Sequence, residues 1–391
     1  MRNKAWIAAM VMAGALCVVM VEAQAQQPKV AHAQMSVKAG DNLQREIAAA
    51  QTPTWIGYSV AATHRINSGW DDVLYLEGGD SDHFQSTDKD GAIPPAMVLL
   101  RVTAGKVDRV QMEEIDREID AGGLPFVWLT GVSPAESVKT LKSVIEASIA
   151  EEAKAGVSQA VTPITGDRDR TDRDRERDRI ERDVQREEGR KFSRLQNRAL
   201  VAIAIENCPE ATAALKLFTA TSYTQEMRGQ AAFWLANERG AEGFKTVSEL
   251  LKSDKDEALR VKLVFDLTLV KGDSHKAAID ELINAAKTDA MPKVRSQAQF
   301  WLAQVAGKSD KDSPRIVRTL SDAATNDPEA GIRKSAVFAI SRLPVDQAVP
   351  ELIQVASTTK DATTRKEAIF WLGQSKDPRA LDYLVKVVKE Q

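Results

Sequence analysis

A five-fold repeat in the second half of the chain constrains the fold more than any other feature of the sequence. Five arginines are each followed, five positions later, by a phenylalanine. The arginines are Arg228, Arg260, Arg295, Arg333 and Arg365. The phenylalanines are Phe233, Phe265, Phe300, Phe338 and Phe370. A period of this kind is typical of stacked helical hairpins, in which each repeat buries its apolar face only against its neighbours.

Small and apolar residues recur at positions −1, +3 and +7, counted from each arginine. In the repeat of Arg295 they are Val294, Ala298 and Leu302, and only Leu263 interrupts the column of alanines at +3. This spacing places the three positions on one face of a helix, and alanine allows a second helix to approach closely. The sequence therefore predicts a mainly α protein, with a C-terminal α-solenoid of five to six helical hairpins over residues 191–391.

Aspartates form a second column in the repeat. Asp254, Asp289 and Asp327 each stand six positions before the following arginine. A carboxylate at the start of a helix stabilises the helix N-terminus. The nearby arginine could pair with this aspartate or with the aspartate of the next repeat. We interpret both columns as structural markers of the repeat, forming a ladder of ion pairs, and not as catalytic pairs.

The pattern resembles the HEAT-repeat family, particularly the short bacterial form named after phycobilisome lyases. The segment AIFWLGQSKDPRALDYLVKVV matches a whole unit, and the resemblance covers residues 195–391, with a degenerate first repeat around Arg198. The pairs of Phe and Trp at 233–234, 300–301 and 370–371 are unusual for the family. The resemblance implies an exported HEAT-repeat protein whose helical surface binds another protein.

Two enzyme families use related repeats, and neither fits the sequence well. Deoxyhypusine hydroxylase needs His-Glu pairs for its iron, whereas the four histidines here are followed by Ala33, Arg65, Phe84 and Lys276. Bilin lyases act on cytoplasmic proteins, which conflicts with the exported location argued below. We therefore expect a protein without catalytic residues or cofactors, and a lyase or hydroxylase relative is the disfavoured alternative.

The N-terminal residues 1–25 have the pattern of a secretory signal peptide. Arg2 and Lys4 precede an apolar run from Ala5 to Val21, and Ala23-Gln24-Ala25 offers small residues for cleavage. A retained anchor is the alternative, but the run is shorter than the ~20 residues of a spanning helix. We expect an exported protein, periplasmic or secreted, that begins after Ala25 or Ala33, without stable membrane insertion and with residues 26–35 flexible.

Residues 36–150 read as a small α+β domain of unknown function. Short β-rich runs such as TWIGYSV, AMVLLRVT and PFVWL are separated by Gly and Pro, and a helix of about 14 residues follows Ser133. Residues 151–190 contain a mixed-charge, Arg- and Asp-rich linker that becomes helical towards its end. An enzyme or ligand-binding module in residues 36–150 remains an alternative function.

Charge and side-chain chemistry narrow the class of partner. A net charge of −3 argues against a nucleic-acid partner, which would require a basic surface. The acidic loop around Glu77 and Asp90 lacks the spacing of a calcium-binding hand, and Cys208 is expected to be a packing residue. We therefore expect no metal site. We expect a protein partner, whose identity the sequence does not give. A third alternative for the function, beside a scaffold and an N-terminal enzyme or ligand-binding module, is an envelope stability or assembly factor.

The phenylalanine column allows two hypotheses. Position +5 lies about 150° from the centre of the −1/+3/+7 stripe, so these rings should not face the partner helix of their own repeat. They could wedge against the adjacent repeat, which we favour. Alternatively, they could form an apolar strip for a partner segment, with charged residues at its rim.

Overall fold

The structure is a computed structural model that describes residues 27–67, 73–78, 85–87, 92–160, 194–307 and 312–389. The predicted signal peptide, the charged segment 166–190 and most of the acidic loop lie outside the described residues. The chain divides into two compact units, Met1–Ala214 and Leu215–Gln391. The sequence predicts the boundary between the charged linker and the solenoid at residue 190. The difference arises because residues 61–63 hydrogen-bond to residues 205–207 within the first unit.

The first unit contains a mixed five-stranded sheet in the order β2-β10-β3-β7-β8, a three-stranded sheet in the order β1-β9-β5, and the pair β4-β6. The strands are β1 (Lys29–Ala31), β2 (Met35–Ala39), β3 (Thr54–Val60), β4 (Arg65–Asn67), β5 (Val73–Tyr75), β6 (Gln85–Thr87), β7 (Ala96–Thr103), β8 (Lys106–Glu114), β9 (Glu118–Asp120) and β10 (Phe126–Thr130). β10 is parallel to β2 and β3, and β7 is antiparallel to both of its neighbours.

One face of the larger sheet carries the main apolar core of this unit. Trp55, Leu99 and Trp128 are buried there together with Ile119 of the smaller sheet. Gly57 makes room for these side chains, because a Cβ at this position would lie 2.9 Å from the ring of Phe126 and 3.0 Å from Leu99 and Trp128. The tight packing requires glycine in the middle of β3, where glycine otherwise weakens a strand.

Helices accompany the sheets of the first unit. They are α1 (Leu43–Ala49), α2 (Pro134–Ala160), α3 (residues 194–205) and α4 (Pro209–Phe218), which crosses the boundary between the units. Helix α2 is about twice as long as predicted, because the apolar spacing ends at Ile149 whereas the Ala- and Glu-rich residues that follow favour helix by propensity alone. The carboxylate of Glu136 accepts a hydrogen bond from the backbone of Leu43.

The N-terminal segment also differs from its prediction. Residues 26–35 were expected to be flexible, yet Lys29–Ala31 forms β1, paired in parallel with β9. Val30 and Ala33 pack against the main core. A strand of three residues is too short to show a period in the sequence, and its partner strand lies far along the chain. The sequence therefore does not predict β1.

The second unit alternates between two kinds of helix, as predicted for the solenoid. We call the helices that carry the repeated Arg and Phe the first helices: α5 (Gln225–Glu238), α7 (Glu257–Asp266), α9 (Pro292–Ala306), α11 (Ala330–Ser341) and α13 (Ala362–Gln374). The second helices are α6 (Gly240–Ser253), α8 (His275–Thr288), α10 (Ser313–Asn326), α12 (Val345–Thr358) and α14 (Pro378–Lys389). Short 3₁₀ turns, Leu267–Leu269 and Gly272–Ser274, connect α7 to α8. The predicted fold class is confirmed.

The predicted core columns are buried in this array. Ala298 and Leu302 have no exposed surface, nor do Leu235 and Leu372 in their own repeats. At the α5–α6 turn, a Cβ on Gly243 would lie 1.8 Å from the carbonyl oxygen of Leu235, so only glycine allows this close crossing. Among the described residues, no helix has both the length and the apolar character needed to cross a bilayer.

Candidate protein-binding surface

The aromatic side chains of the first helices occupy equivalent positions along the array, and we call this set the aromatic stripe. Its members are Phe233, Trp234, Phe265, Phe300, Trp301, Phe338, Phe370 and Trp371. They occupy positions +5 and +6 after the repeated arginine. Position +5 points away from the −1/+3/+7 face, which packs against the second helix. Position +6 points towards the preceding repeat. The rings therefore meet across the junctions between repeats.

Three ring contacts join successive repeats. The ring centroids of Phe265 and Trp301 are 4.7 Å apart, and those of Phe338 and Trp371 are 5.4 Å apart. Between them, Phe300 and Phe338 lie 6.4 Å apart with nearly parallel planes. All three distances are within the favourable range for aromatic pairs. Each phenylalanine concerned thus packs sideways against the following repeat.

The same rings also reach solvent. Phe338 is 37% exposed and Phe370 is 53% exposed, while the other members are half-buried. Phe265, Phe300 and Phe338 therefore combine features of the two hypotheses raised by the sequence, because each contacts the following repeat and also reaches solvent. Large apolar side chains that adjoin one another and stay partly exposed are a common mark of a binding surface.

The residue at +6 decides which ring contact forms. Tryptophan stands there in α5, α9 and α13, whereas α7 has Asp266 and α11 has Ala339. Where the next helix supplies Trp301 or Trp371, the preceding phenylalanine packs against that indole. Where it supplies only Ala339, Phe300 stacks on Phe338 instead. The stripe is therefore continuous from α7 to α13 although its composition alternates.

Asp266 is the exception in this column. It is 2% exposed, its Oδ2 atom has no hydrogen-bond partner in the described part of the chain, and burial raises its pKa well above the usual value, with the charge of Lys262 opposing only part of the effect. Burial thus makes this carboxyl harder to ionise in the folded protein than in water.

Replacing Asp266 with Asn should stabilise the array at neutral pH, by about 1–2 kcal/mol, because a carboxamide cannot ionise and the cost of burying a charged carboxylate is removed. The folded pKa is raised, so the wild-type stability contributed by this group is complete below about pH 4 and falls as the pH rises above it. Urea denaturation of wild type and Asp266→Asn from about pH 4 to pH 8 should therefore diverge with increasing pH. The exposed Asp273→Asn is the control, and equal slopes for all three proteins would contradict the assignment.

The arginine column forms ion pairs between the repeats. Each pairing arginine contacts an aspartate that follows the next second helix. The pairs are Arg228 with Asp254, Arg260 with Asp289, Arg295 with Asp327, and Arg333 with Asp361. The first three use the predicted aspartates. In the fourth, Thr359 occupies the position six before Arg365, and Asp361 takes over the pairing.

Three of these arginines also donate to a backbone carbonyl, which fixes the side chain. Arg228 donates to the carbonyl of Thr219 at 3.0 Å. Arg295 donates to the carbonyl of Asp289 at 2.8 Å, and Arg333 donates to the carbonyl of Asp327 at the same distance. Burial lowers the Arg295 pKa, but the hydrogen bonds and charges of Glu329 and Asp327 outweigh this and raise it. The geometry is that of a structural ladder.

A buried polar network in the first unit was missed by the sequence analysis. Tyr58 and Ser137 share a hydrogen bond of 2.9 Å, and Ser137 donates to Glu206 at 2.5 Å. Burial and the charge of Glu206 raise the Tyr58 pKa well above its usual value. All three residues are at most 1% exposed. The network joins β3, α2 and the segment after α3, and its burial is typical of a structural link.

Cys208 and the acidic side chains of the described residues were also candidates for chemistry. Burial raises the pKa of the Cys208 thiol, which is the opposite of what activates a cysteine nucleophile. No cluster of three or more His, Cys, Asp or Glu side chains suited to a metal ion occurs in the ranges that the structure covers. Of the acidic loop, Glu77 is described, and it accepts hydrogen bonds from Trp55 and Arg101.

A groove of about 710 Å³ between α10 and α12 is another concave feature of the array. Its lining includes Arg318, Asp322 and Asp346 along with several small polar residues. Ser313 and Gln347 bridge the two helices at 2.6 Å. This surface is polar and already internally hydrogen-bonded, in contrast to the aromatic stripe.

Comparison with known proteins supports the repeat assignment. Residues 317–391 match the family model described as HEAT repeats, which confirms the predicted resemblance for that part of the chain. No curated protein matches the chain.

Similar solved structures include the Escherichia coli protein YibA, 23% identical, with 45% of this chain and 64% of that chain covered and a TM-score of 0.32. Cex1p is 10% identical over 67% of this chain and 47% of its own, with a TM-score of 0.36. Human deoxyhypusine hydroxylase in complex with glycerol is 16% identical over 49% and 83%, with a TM-score of 0.23. The match spans less than two thirds of the first two structures. At these scores none of them transfers an activity to this chain.

Proposed function

We propose that this chain, whose residues 317–391 are HEAT repeats, is an exported scaffold that binds a partner protein through the aromatic stripe of its helical array. The observation that carries the proposal is the continuity of partly exposed rings across successive first helices, including Phe338 and Phe370. Interface cores are enriched in aromatic residues, and stacked helical repeats present extended surfaces for binding. The proposal assigns no reaction to the chain.

The spacing of the first helices indicates what the stripe accommodates. Packed helices lie about 8–10 Å apart, so equivalent rings recur at about that interval across the array. An α-helix laid across them presents one side chain every two turns at about 10.5 Å, whereas alternate residues of a β-strand recur at about 6.7 Å. The partner segment that fits best is therefore an amphipathic helix with an apolar face.

Charge near the stripe is already balanced, so binding should be governed by apolar contact. Lys334 pairs with Glu367 at 3.4 Å, and Trp371 donates from its indole to Glu367 at 3.1 Å. Lys293 pairs with Glu257 at 2.8 Å. Exposed pairs of this kind contribute little to binding or stability. We accordingly expect the affinity for the partner helix to depend only weakly on salt.

The exported location in the proposal rests on the N-terminal pattern. Arg2, Lys4 and the apolar run that follows support a cleaved signal with Ala25 as the last residue removed, since cleavage after Ala33 would remove β1. An exported scaffold would meet its partner outside the cytoplasm, so the partner is sought in the envelope fraction.

Binding should be weakened about tenfold or more when Phe338 and Phe370 are both replaced with Ala, because the partner helix loses apolar contacts in two neighbouring repeats. These two rings are exposed, so their truncation removes less packing within the array than truncation of the half-buried members would. The probe is a labelled amphipathic peptide of about 21 residues with leucines on one face, long enough to cross three repeats. Fluorescence anisotropy gives its affinity for the full chain and each variant.

Three controls make the experiment decisive. A scrambled peptide of the same composition should not bind, and Val345→Ala, which truncates a 58% exposed residue outside the stripe, should leave the affinity unchanged. Circular dichroism must show the same helicity for all variants. Equal affinity of wild type and the double variant for the ordered peptide would refute the aromatic stripe as the binding site. Envelope proteins retained by wild type and lost by the double variant then identify the natural partner.

A further inference from the structure

Helix α14 has two apolar faces, and only one of them is covered in the described residues. Ala380 is buried, while Leu384 and Val387 are half-buried on the side that faces the array. Three other apolar side chains are exposed at 63%, 42% and 74%: Leu381, Val385 and Val388. The spacing of these three residues places them together on the other face of the helix.

The preceding second helix shows what such a face normally does. Val349 and Ala356 of α12 precede Leu381 and Val388 by the same interval that separates the last two repeated arginines. Both are 2% exposed, since the following repeat packs against α12. The outward face of α14 thus corresponds to the face that is covered in α12, and its apolar side chains are suited to contact with another helix.

The charges beside this face select the occupant. On a helical wheel, Asp382 and Lys389 lie on the same side of the line through Leu381, Val385 and Val388, and are separated by almost two turns. When two copies of one helix pack antiparallel, identical sides meet. Asp382 of each copy then lies opposite the lysine-bearing last turn of the other, and Leu381 lies opposite Val388. A parallel pair would not bring these charges together.

We propose that α14 packs antiparallel against α14 of a second copy, making the chain a two-fold symmetric dimer in which Asp382 of one protomer pairs with Lys389 of the other. Such an interface is isologous, so it closes after two copies and does not extend into a filament. It is independent of the aromatic stripe, which lies on the first helices. A single pair of helices buries a small area, so we expect a weak and reversible dimer.

Sedimentation equilibrium of the full chain over a range of micromolar concentrations tests the proposal. We expect a monomer–dimer equilibrium for wild type. Leu381→Glu combined with Val388→Glu should give a monomer with unchanged helicity, whereas Val345→Glu, which changes an exposed residue of α12, should leave dimerisation intact. Retention of the dimer by the double glutamate variant would refute the interface.

Charge reversal tests the orientation. Asp382→Lys alone and Lys389→Asp alone should each weaken dimerisation several-fold, because they place like charges opposite one another. The double reversal restores the opposite charges and should recover the wild-type affinity. Failure to recover it would refute the antiparallel pairing. A wild-type chain that stays monomeric, or that forms larger assemblies, would overturn the proposal as a whole, and peptide binding by the stripe would still be measurable in either case.

Discussion

Leu302→Ala is expected to lower the free energy of unfolding of the helical array by about 2–5 kcal/mol. Leu302 has no exposed surface, and the same position in the other repeats holds a buried Leu or Ile. Truncation removes the transfer free energy of the lost atoms and leaves a cavity between the first helix and its partner, where neighbouring helices cannot close it without moving.

Chemical denaturation of the full chain, followed by circular dichroism, measures this change. Val345→Ala serves as the matched control, because it truncates an apolar side chain that is 58% exposed, and its cost should stay below about 0.5 kcal/mol. If Leu302→Ala costs no more than the control, the −1/+3/+7 register of the repeat is wrong.

Arg228→Met should destabilise the array by about 3–5 kcal/mol, because it leaves the carboxylate of Asp254 buried without its counter-ion. Both side chains are 7% exposed, and Arg228 also loses its bond to the carbonyl of Thr219. Adding Asp254→Asn should recover a large part of the loss. The amide oxygen of asparagine can still accept the hydrogen bond that Asp254 receives from the backbone of Asp256, while the unpaired charge is gone.

The control for this prediction is Arg365→Met in the last repeat. Arg365 is exposed and donates to the carbonyl of Thr359, so its loss should cost about 1 kcal/mol or less. Thermal or urea unfolding of the two single variants and the double variant gives the coupling free energy directly. Additive effects of Arg228→Met and Asp254→Asn would mean that the ladder does not stabilise the array.

The repeat made the array predictable because the same physical constraint acts on it five times. Ala298 and Leu302 occupy core positions that recur along the array, so their period is visible in the sequence. The direction of the phenylalanines followed from helical geometry. Their partial exposure did not, because it depends on contacts between neighbouring helices and not on the period.

The first unit was less predictable because each of its decisive contacts occurs once and does not recur along the sequence. Tyr58, Ser137 and Glu206 come from distant parts of the chain, and no motif connects them. Strand β1 is only three residues long, too short to show alternation. Longer strands such as β3 and β7 were recognisable because their apolar runs are bounded by turn residues.

The arginine ladder also shows where such a chain tolerates changes in length. The sequence separation between an arginine and the aspartate it pairs with varies, being 26 for Arg228, 29 for Arg260 and 32 for Arg295. The step from that aspartate to the next arginine is six positions in all three cases. Insertions are therefore absorbed inside a hairpin, as in the 3₁₀ turns between α7 and α8. At two of the joints the guanidinium reaches across this step, since Arg295 donates to the carbonyl of Asp289 and Arg333 to the carbonyl of Asp327. A change in length should therefore be tolerated inside a hairpin and not at the joint between two hairpins.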